Sequence, residues 1–200
     1  RPYFLEVLRL YNENKLTLTQ VTEIFLTTES YLFRRTMCDL PTNALNKIFL
    51  MLHREIVRYD GTEDDYVEKF KYALLSKKER ARFPDDVEFK VAFEERPVYL
   101  MNSKNKIYIL ERFENFGTSE DKDVYRHCDD GTYSIEHIMP QHLTPVWQKE
   151  LGDDYEQIHE EWLHRMANLT LTAYNSKYSN SSFTEKKTMQ NGFEDSGIRM

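Results

Sequence analysis

Residues 133–138 read Tyr-Ser-Ile-Glu-His-Ile, and Met139-Pro140 follows them. Successive side chains of a β-strand point to opposite faces. This alternating run, with its β-branched residues, therefore predicts a short strand closed by Pro140. A second alternating run, Asn168-Leu-Thr-Leu-Thr172, predicts another strand with Leu169 and Leu171 on one face. The C-terminal part of the chain is thus predicted to contain two short strands.

Helical sequence lies between and after these strands. Gly152-Asp-Asp154 is typical of a helix start. The apolar side chains between the strands recur at helical spacing: Trp147, Leu151, Tyr155, Ile158, Trp162, Leu163 and Met166. A last helix is predicted to start near Ser182 or Thr184 and to end before Asn191-Gly192. Residues 132–200 are therefore predicted as one domain with a helical insert between its strands.

The N-terminal part is predicted to be helical from Pro2 to about Phe116, because its apolar residues recur with a period near 3.6. The Thr17/Thr19 region is predicted to cap the second helix, and Thr42 or Asn43 the third, which should end near Asp60-Gly61. Further helices are predicted at residues 63–75, 85–95 and 104–116. These patterns indicate a mainly α protein with a small α+β part.

The predicted domain limits follow from changes in composition. Residues 1–117 are predicted to form a helical domain, and the polar, acidic residues 118–131 are predicted to be a linker. The chain begins at Arg1 rather than Met, so we expect it to be a piece of a longer protein.

Charge and composition exclude several classes of protein. The chain has 27 Lys and Arg against 34 Asp and Glu, a formal net charge of -7, which excludes a generally basic nucleic-acid coat. An aromatic content of 14% is too high for a disordered chain. Cys38 and Cys128 are far apart, so neither a disulfide framework nor a cysteine zinc site is supported. This cysteine usage makes a reducing, cytoplasmic setting the simplest prediction, and the sequence shows neither a membrane span nor a signal peptide.

Histidines are concentrated in the C-terminal region, but one familiar motif is excluded. His159 and His164 are five residues apart, about 140° around a helix, whereas a zinc-protease HExxH motif needs a spacing of four. The two are expected to be an exposed and a packed helix histidine. No phosphate-binding loop, dinucleotide fingerprint or nucleophile elbow occurs in the sequence.

The ends of the two predicted strands carry the remaining chemistry. Glu136 and His137 set a carboxylate, which can bind a hard divalent cation, beside a base that works near neutral pH. An asparagine of the second strand could hold the imidazole, and one at the start of the next helix could add an oxygen ligand. Such a set can hydrolyse a phosphodiester.

These residues carry a family resemblance. The chain resembles the C-terminal part of GmrSD-type restriction endonucleases, whose nuclease domain is a variant of the HNH, or His-Me finger, superfamily. The matching elements are Glu136-His-Ile-Met-Pro-Gln141, Trp147, residues 163–171, Tyr174-Asn-Ser176, and residues 179–183 with Lys186. The helical half resembles the family's middle region through Arg34-Arg35, Cys38-Asp-Leu-Pro41 and Asn46-Lys-Ile-Phe49.

The resemblance implies a helical bundle followed by a ββα-metal nuclease module that cleaves DNA with Mg²⁺ or Mn²⁺. His137 matches the general base, and Asn168 matches the strand residue that orients it. Glu136 matches an acidic metal ligand, which requires a strand end or bulge beside His137. Asn175 is the preferred helix-borne metal ligand, with Asn180 as the reserve.

The resemblance also implies partners and a role. The family's N-terminal NTPase-like domain is absent from this sequence, and the family acts in restriction or phage defence, with modified phage DNA as a possible substrate. No membrane partner is expected. Candidate nucleic-acid contacts are the local basic run, a histidine after the first strand and two lysines after the second strand: Lys77, Lys78, Arg80, Arg82, His142, Lys177 and Lys186. His142 is equally consistent with an ordinary loop histidine.

Two other readings stay open at this stage. A non-catalytic helical adaptor with a degenerate nuclease fold could bind DNA or a partner through residues 77–82, and a histidine–metal site does not itself distinguish DNA from RNA. The acidic balance predicts weak, steeply salt-sensitive nucleic-acid binding.

Overall fold

The computed structural model describes residues 2–199, which fall into two compact units divided between Phe93 and Glu94. Four helices open the first unit: α1 (Pro2–Asn12), α2 (Leu18–Met37), α3 (Leu45–Val57) and α4 (Tyr66–Leu75). None of the helices between residues 2 and 199 is both long and apolar enough to cross a membrane.

The helix starts of the first unit test the predicted caps. Thr17 and Gln20 form a reciprocal capping box at the start of α2, so the predicted cap is confirmed. The predicted cap of α3 at Thr42 or Asn43 is wrong, because Ala44 precedes that helix without a side-chain cap. The Leu45 amide already bonds to the Thr42 carbonyl at 3.0 Å, so the chain enters α3 through a turn.

The core of the first unit comes from the apolar stripes of its helices. Tyr3 stacks on Phe70 with ring centroids 5.7 Å apart. The fully buried apolar residues around this contact include Val7, Leu10, Ile24, Leu52, Ile56 and Leu74. A 3₁₀ turn (Glu79–Ala81) and α5 (Asp86–Glu95) follow α4.

The Arg35 side chain of α2 fixes the backbone at Arg80 and Arg82, within the basic run of residues 77–82. Its guanidinium is 2% exposed and donates to the backbone carbonyls of Pro41, Arg80 and Arg82. Arg35 is therefore part of the interior of the first unit.

The second unit contains the small sheet. Its strands, β1 (Ser134–His137) and β2 (Leu169–Thr172), are antiparallel, with His137 opposite Leu169. Its helices are α6 (Ser103–Asn115), α7 (Val124–Asp129), α8 (Pro145–Leu151), α9 (Tyr155–Trp162), α10 (Asn175–Tyr178) and α11 (Phe183–Thr188). Short 3₁₀ turns cover Val98–Leu100 and Met166–Asn168. The prediction of a mainly α protein with a small β part is confirmed.

The compact units do not divide where composition changes. Leu110 of α6 packs with Val124 and Leu171 in one apolar cluster, which assigns α6 to the unit that contains the sheet. The acidic residues 118–131, predicted as a linker, include α7, and Val124 there is fully buried. The packing of that segment depends on a few buried apolar side chains. Its average composition is polar and acidic, so composition alone predicted a linker.

Candidate active site

The end of β1 buries two ionisable side chains next to each other. Glu136 is 4% exposed and His137 is 5% exposed. Because neighbouring strand residues point to opposite faces, the two side chains have separate surroundings.

Glu136 is held by a buried lysine from α11. The Lys186 ammonium, which is 0% exposed, donates to Glu136 Oε1 at 2.5 Å, to the His137 carbonyl at 2.9 Å and to the Ile138 carbonyl at 3.1 Å. Three acceptors match its three protons. Burial raises the pKa of Glu136, and the Lys186 charge opposes that rise. Lys186, predicted as a nucleic-acid contact, therefore lies inside the unit and fixes the end of β1.

His137 is surrounded by rings rather than hydrogen bonds. Its imidazole lies 4.2 Å from the Tyr99 ring and 5.7 Å from the His164 ring between centroids, with both contacts edge-to-face. Its Nε2 is buried and has no hydrogen-bond partner among the described residues. Burial, then the His164 and Lys186 charges, lowers the pKa of His137 to about 4. The imidazole is therefore neutral near pH 7 and retains a free lone pair.

Asn168 acts on the backbone that follows His137. Its Oδ1 accepts from the Met139 amide at 2.7 Å, and its Nδ2 donates to the Met139 carbonyl at 2.9 Å and the Leu163 carbonyl at 3.0 Å. The described contacts include no hydrogen bond from Asn168 to the imidazole, which corrects the expected direct contact. Any orienting effect of Asn168 on His137 passes through the backbone at Met139.

The two other predicted metal ligands lie apart from these groups. Asn175, at the start of α10, donates to Ser134 Oγ at 3.2 Å and to the Ile135 carbonyl at 3.0 Å, at the opposite end of β1 from His137. Asn180 is exposed beyond that helix. No described contact joins either asparagine directly to Glu136.

The predicted metal ligands are Glu136, Asn175 and Asn180, and their donor atoms can be compared with the ligands that Mg²⁺ prefers. Within residues 2–199, no group of three or more His, Cys, Asp or Glu side chains could hold a metal. The predicted set instead offers one carboxylate and two amide oxygens. Mg²⁺ usually takes one or two carboxylates and completes its shell with water and substrate phosphates. These donor types suit Mg²⁺ or Mn²⁺, but the described contacts do not bring the three side chains together, and Lys186 already bonds to one of the two Glu136 oxygens.

The predicted nucleic-acid contacts carry less free charge than the sequence implied. Lys77 pairs with Glu55, and Arg82 pairs with Glu88. Lys78 and Arg80 are exposed, and neither forms an ion pair within the described part of the chain. His142 is exposed, and the Lys177 ammonium lies 5.0 Å from the centre of the Tyr174 ring.

Sequence reasoning missed Tyr99 and Lys106, and it took His164 for a packed helix residue. Tyr99 lies on a 3₁₀ turn, and His164 lies between α9 and β2. The Lys106 ammonium is 4.5 Å from the centre of the Tyr99 ring. No local pattern connects these residues to His137, because only folding brings them together.

His159 supports the loop that leaves β1. Its Nε2 lies 3.0 Å from the Pro140 carbonyl, so this nitrogen carries the proton and donates. Expected to be an exposed helix histidine, His159 is half-buried and bonded.

The end of the two-stranded sheet thus carries a neutral buried histidine on one face and an ion-paired carboxylate on the other. The family "GmrSD restriction endonucleases, C-terminal domain" matches residues 83–200. Since the match covers more than half of the chain, the protein belongs to this family of restriction endonucleases, which confirms the resemblance seen in the sequence. No curated protein and no solved structure matches the chain.

Proposed function

We propose that this chain is the nuclease part of a restriction endonuclease, in which His137 is the general base that activates water to hydrolyse a DNA phosphodiester. The observation that carries the proposal is the unpaired, buried Nε2 of a neutral imidazole in a chain of this family. General-base catalysis of this kind contributes about 10² to 10⁴ in rate.

Burial and the charges around His137 determine how readily its imidazole accepts a proton. In the free protein, burial and neighbouring positive charge oppose the imidazolium. A bound phosphodiester brings negative charge beside the ring, and a nearby opposite charge favours the protonated form. Proton uptake would therefore be favoured when substrate is present.

The proposal includes a divalent cation, Mg²⁺ or Mn²⁺. Glu136 would hold it through the oxygen that Lys186 does not bond, and Asn175 or Asn180, which lie apart from Glu136 in the free protein, would have to move to add an amide oxygen. When bound, the ion would neutralise charge on the scissile phosphate and the leaving oxygen. Lys186 has a separate task, since it keeps Glu136 in place at the end of β1.

An HNH-like module is the proposed framework for this chemistry. The order supports it: β1 carries His137, β2 follows Asn168, and α10 follows β2. The insert formed by α8 and α9 lies between the strands in sequence.

DNA is the proposed substrate, with modified phage DNA as one candidate and an N-terminal NTPase-like domain as the missing partner. Three cations without an ion pair are the proposed phosphate contacts, Lys78, Arg80 and Lys177, together with His142. Few free cations on an acidic chain predict weak binding that falls steeply with salt.

A plasmid-nicking assay tests the proposed function. The full chain should nick supercoiled DNA with Mg²⁺ or Mn²⁺ and should not do so with EDTA, and His137→Ala should lose nearly all activity. His127→Ala is the matched control, because His127 packs against Tyr133 in the same unit. Undiminished cutting by His137→Ala would refute the assignment of the base. An RNA substrate of the same sequence separates DNA from RNA cleavage.

One observation favours a second candidate, a non-catalytic adaptor. The only carboxylate of the predicted metal set already pairs with a buried lysine. The adaptor would bind DNA or a partner through the Lys77–Arg82 run without cutting. DNA binding that depends on Lys78 and Arg80, with no metal-dependent nicking, would favour the adaptor.

A further inference from the structure

The His137 imidazole needs a source of orientation other than a hydrogen bond to Nε2. That nitrogen is buried without a partner, and the Asn168 side chain is committed to backbone groups of Met139 and Leu163. A general base must nevertheless face its water within a narrow range of angles. Some other contact must therefore restrict the ring.

Tyr99 supplies the nearest ring contact. Its centroid lies 4.2 Å from that of His137 at an interplanar angle of 66°. Edge-to-face pairs of this kind have a preferred geometry, so they restrict rotation of both rings. Such a contact also leaves the imidazole nitrogens free for proton transfer.

Tyr99 is itself held from several sides. Its ring stacks on His164 at 5.5 Å and 10°, and its amide donates to the His164 carbonyl at 3.0 Å. The neighbouring Val98 is 0% exposed, which fixes the turn that carries Tyr99. Lys106 adds a cation at 4.5 Å from the ring centre. Because the Tyr99 ring is restrained in this way, it can restrict rotation of the His137 ring that packs against it.

We propose that Tyr99, backed by His164, is the positioning residue of His137 and sets the angle of the imidazole by ring contact. This inference rests on the proposed function of His137 as a general base. It adds a residue that acts through the base and does not itself touch substrate.

The test compares two substitutions of Tyr99 in the full chain with Mg²⁺ or Mn²⁺. Tyr99→Phe keeps the ring and should retain kcat within about twofold. Tyr99→Leu removes the ring and should lower kcat by roughly tenfold to a hundredfold, as small misplacements of reacting groups do. KM for the DNA substrate should stay unchanged, because Tyr99 does not bind substrate.

The chain offers a matched control in the same unit. Tyr133 also contacts a histidine ring, His127 at 4.8 Å, and donates its amide to that residue's carbonyl at 2.8 Å. Tyr133→Leu should therefore cost comparable packing and leave kcat unchanged. An equal loss of kcat in Tyr133→Leu and Tyr99→Leu would overturn the proposal, as would an equal loss in Tyr99→Phe and Tyr99→Leu.

A measurement without activity keeps the inference testable if Tyr99→Leu folds poorly. Nuclear magnetic resonance of the His137 ring C–H groups should show a restricted ring in the wild type and in Tyr99→Phe. Tyr99→Met, which fills space with a flexible chain, should show a more mobile ring. Equal ring order in Tyr99→Met and wild type would refute the positioning role.

The two hypotheses fail in different ways. A wild-type chain that never cuts, or a His137→Ala variant that cuts normally, refutes the proposed function. A wild type that cuts through His137 while Tyr99→Leu keeps full kcat refutes only the role of Tyr99.

Discussion

The two faces of β1 bury polar groups in opposite ways. On one face, the Lys186 ammonium has an acceptor for each proton, and Glu136 is one of them. On the other, His137 keeps a buried nitrogen with no hydrogen bond. A buried group whose hydrogen bonds are all made avoids the desolvation cost that a buried unsatisfied group carries. We therefore expect removal of Lys186 on one face to lower stability, whereas the proposed base lies on the other face.

The largest effect should come from breaking the buried pair. Lys186→Met leaves the Glu136 carboxylate buried and uncompensated, so unfolding of the second unit should be easier by about 3–5 kcal/mol. Denaturation can be followed by tryptophan fluorescence, because both tryptophans of the chain, Trp147 and Trp162, lie in this unit.

Two variants control the Lys186 experiment. The adjacent Lys187 is exposed and pairs with Glu194 at 3.3 Å on the surface, so Lys187→Met should cost at most about 1 kcal/mol. Glu136→Leu combined with Lys186→Met should regain much of the lost stability, because no charge is left buried. Equal effects of Lys186→Met and Lys187→Met would remove the contrast between the two faces.

A smaller loss of stability is expected when Asn168, which bonds to the backbone that follows His137, is replaced. Asn168→Ala removes three hydrogen bonds to backbone groups and should cost about 1–3 kcal/mol. The same fluorescence titration measures it. Asn180→Ala, at an exposed position, should change little, and a comparable loss there would contradict the structural role of Asn168.

Substitution of Ser182, which caps α11, should lower stability by less again. Ser182 and Glu185 form a capping box on the helix that carries Lys186. Ser182→Ala should therefore cost about 1 kcal/mol. Ser182→Thr is the comparison, since it keeps a capping hydroxyl, and a loss as large as that of Ser182→Ala would argue against the cap.

The smallest expected effect is on the pH dependence of stability, and it comes from His164, which contacts the His137 ring. Burial lowers the pKa of His164 below its usual 6.5, so the unfolded chain takes up a proton more readily than the folded one. Stability from this residue should be fully present above about pH 6.5 and should decline as the pH falls below it. Unfolding of wild type and His164→Gln at pH 7.5 and 5.5 measures this. An identical pH dependence of the two proteins would contradict the prediction.

Local sequence was sufficient for the positions of most elements. The period of apolar residues predicts helices close to α2, α4, α5 and α6, and alternation predicts both β1 and β2. The Thr17 cap of α2 was also predicted, and the predicted start of the last helix near Ser182 or Thr184 agrees with α11. These features depend on residues a few positions apart, so a pattern along the chain contains them.

By itself, the sequence determined the family, the mainly helical fold with two short strands, and His137 as the candidate base. The tertiary structure decided that Glu136 pairs with Lys186, 50 positions away, and that Tyr99 packs on His137. It also decided that residues 118–131 contain a helix with a buried valine. The reason is physical: periodicity shows which face of an element is buried, whereas the partner of a buried polar group depends on which distant elements pack against that face.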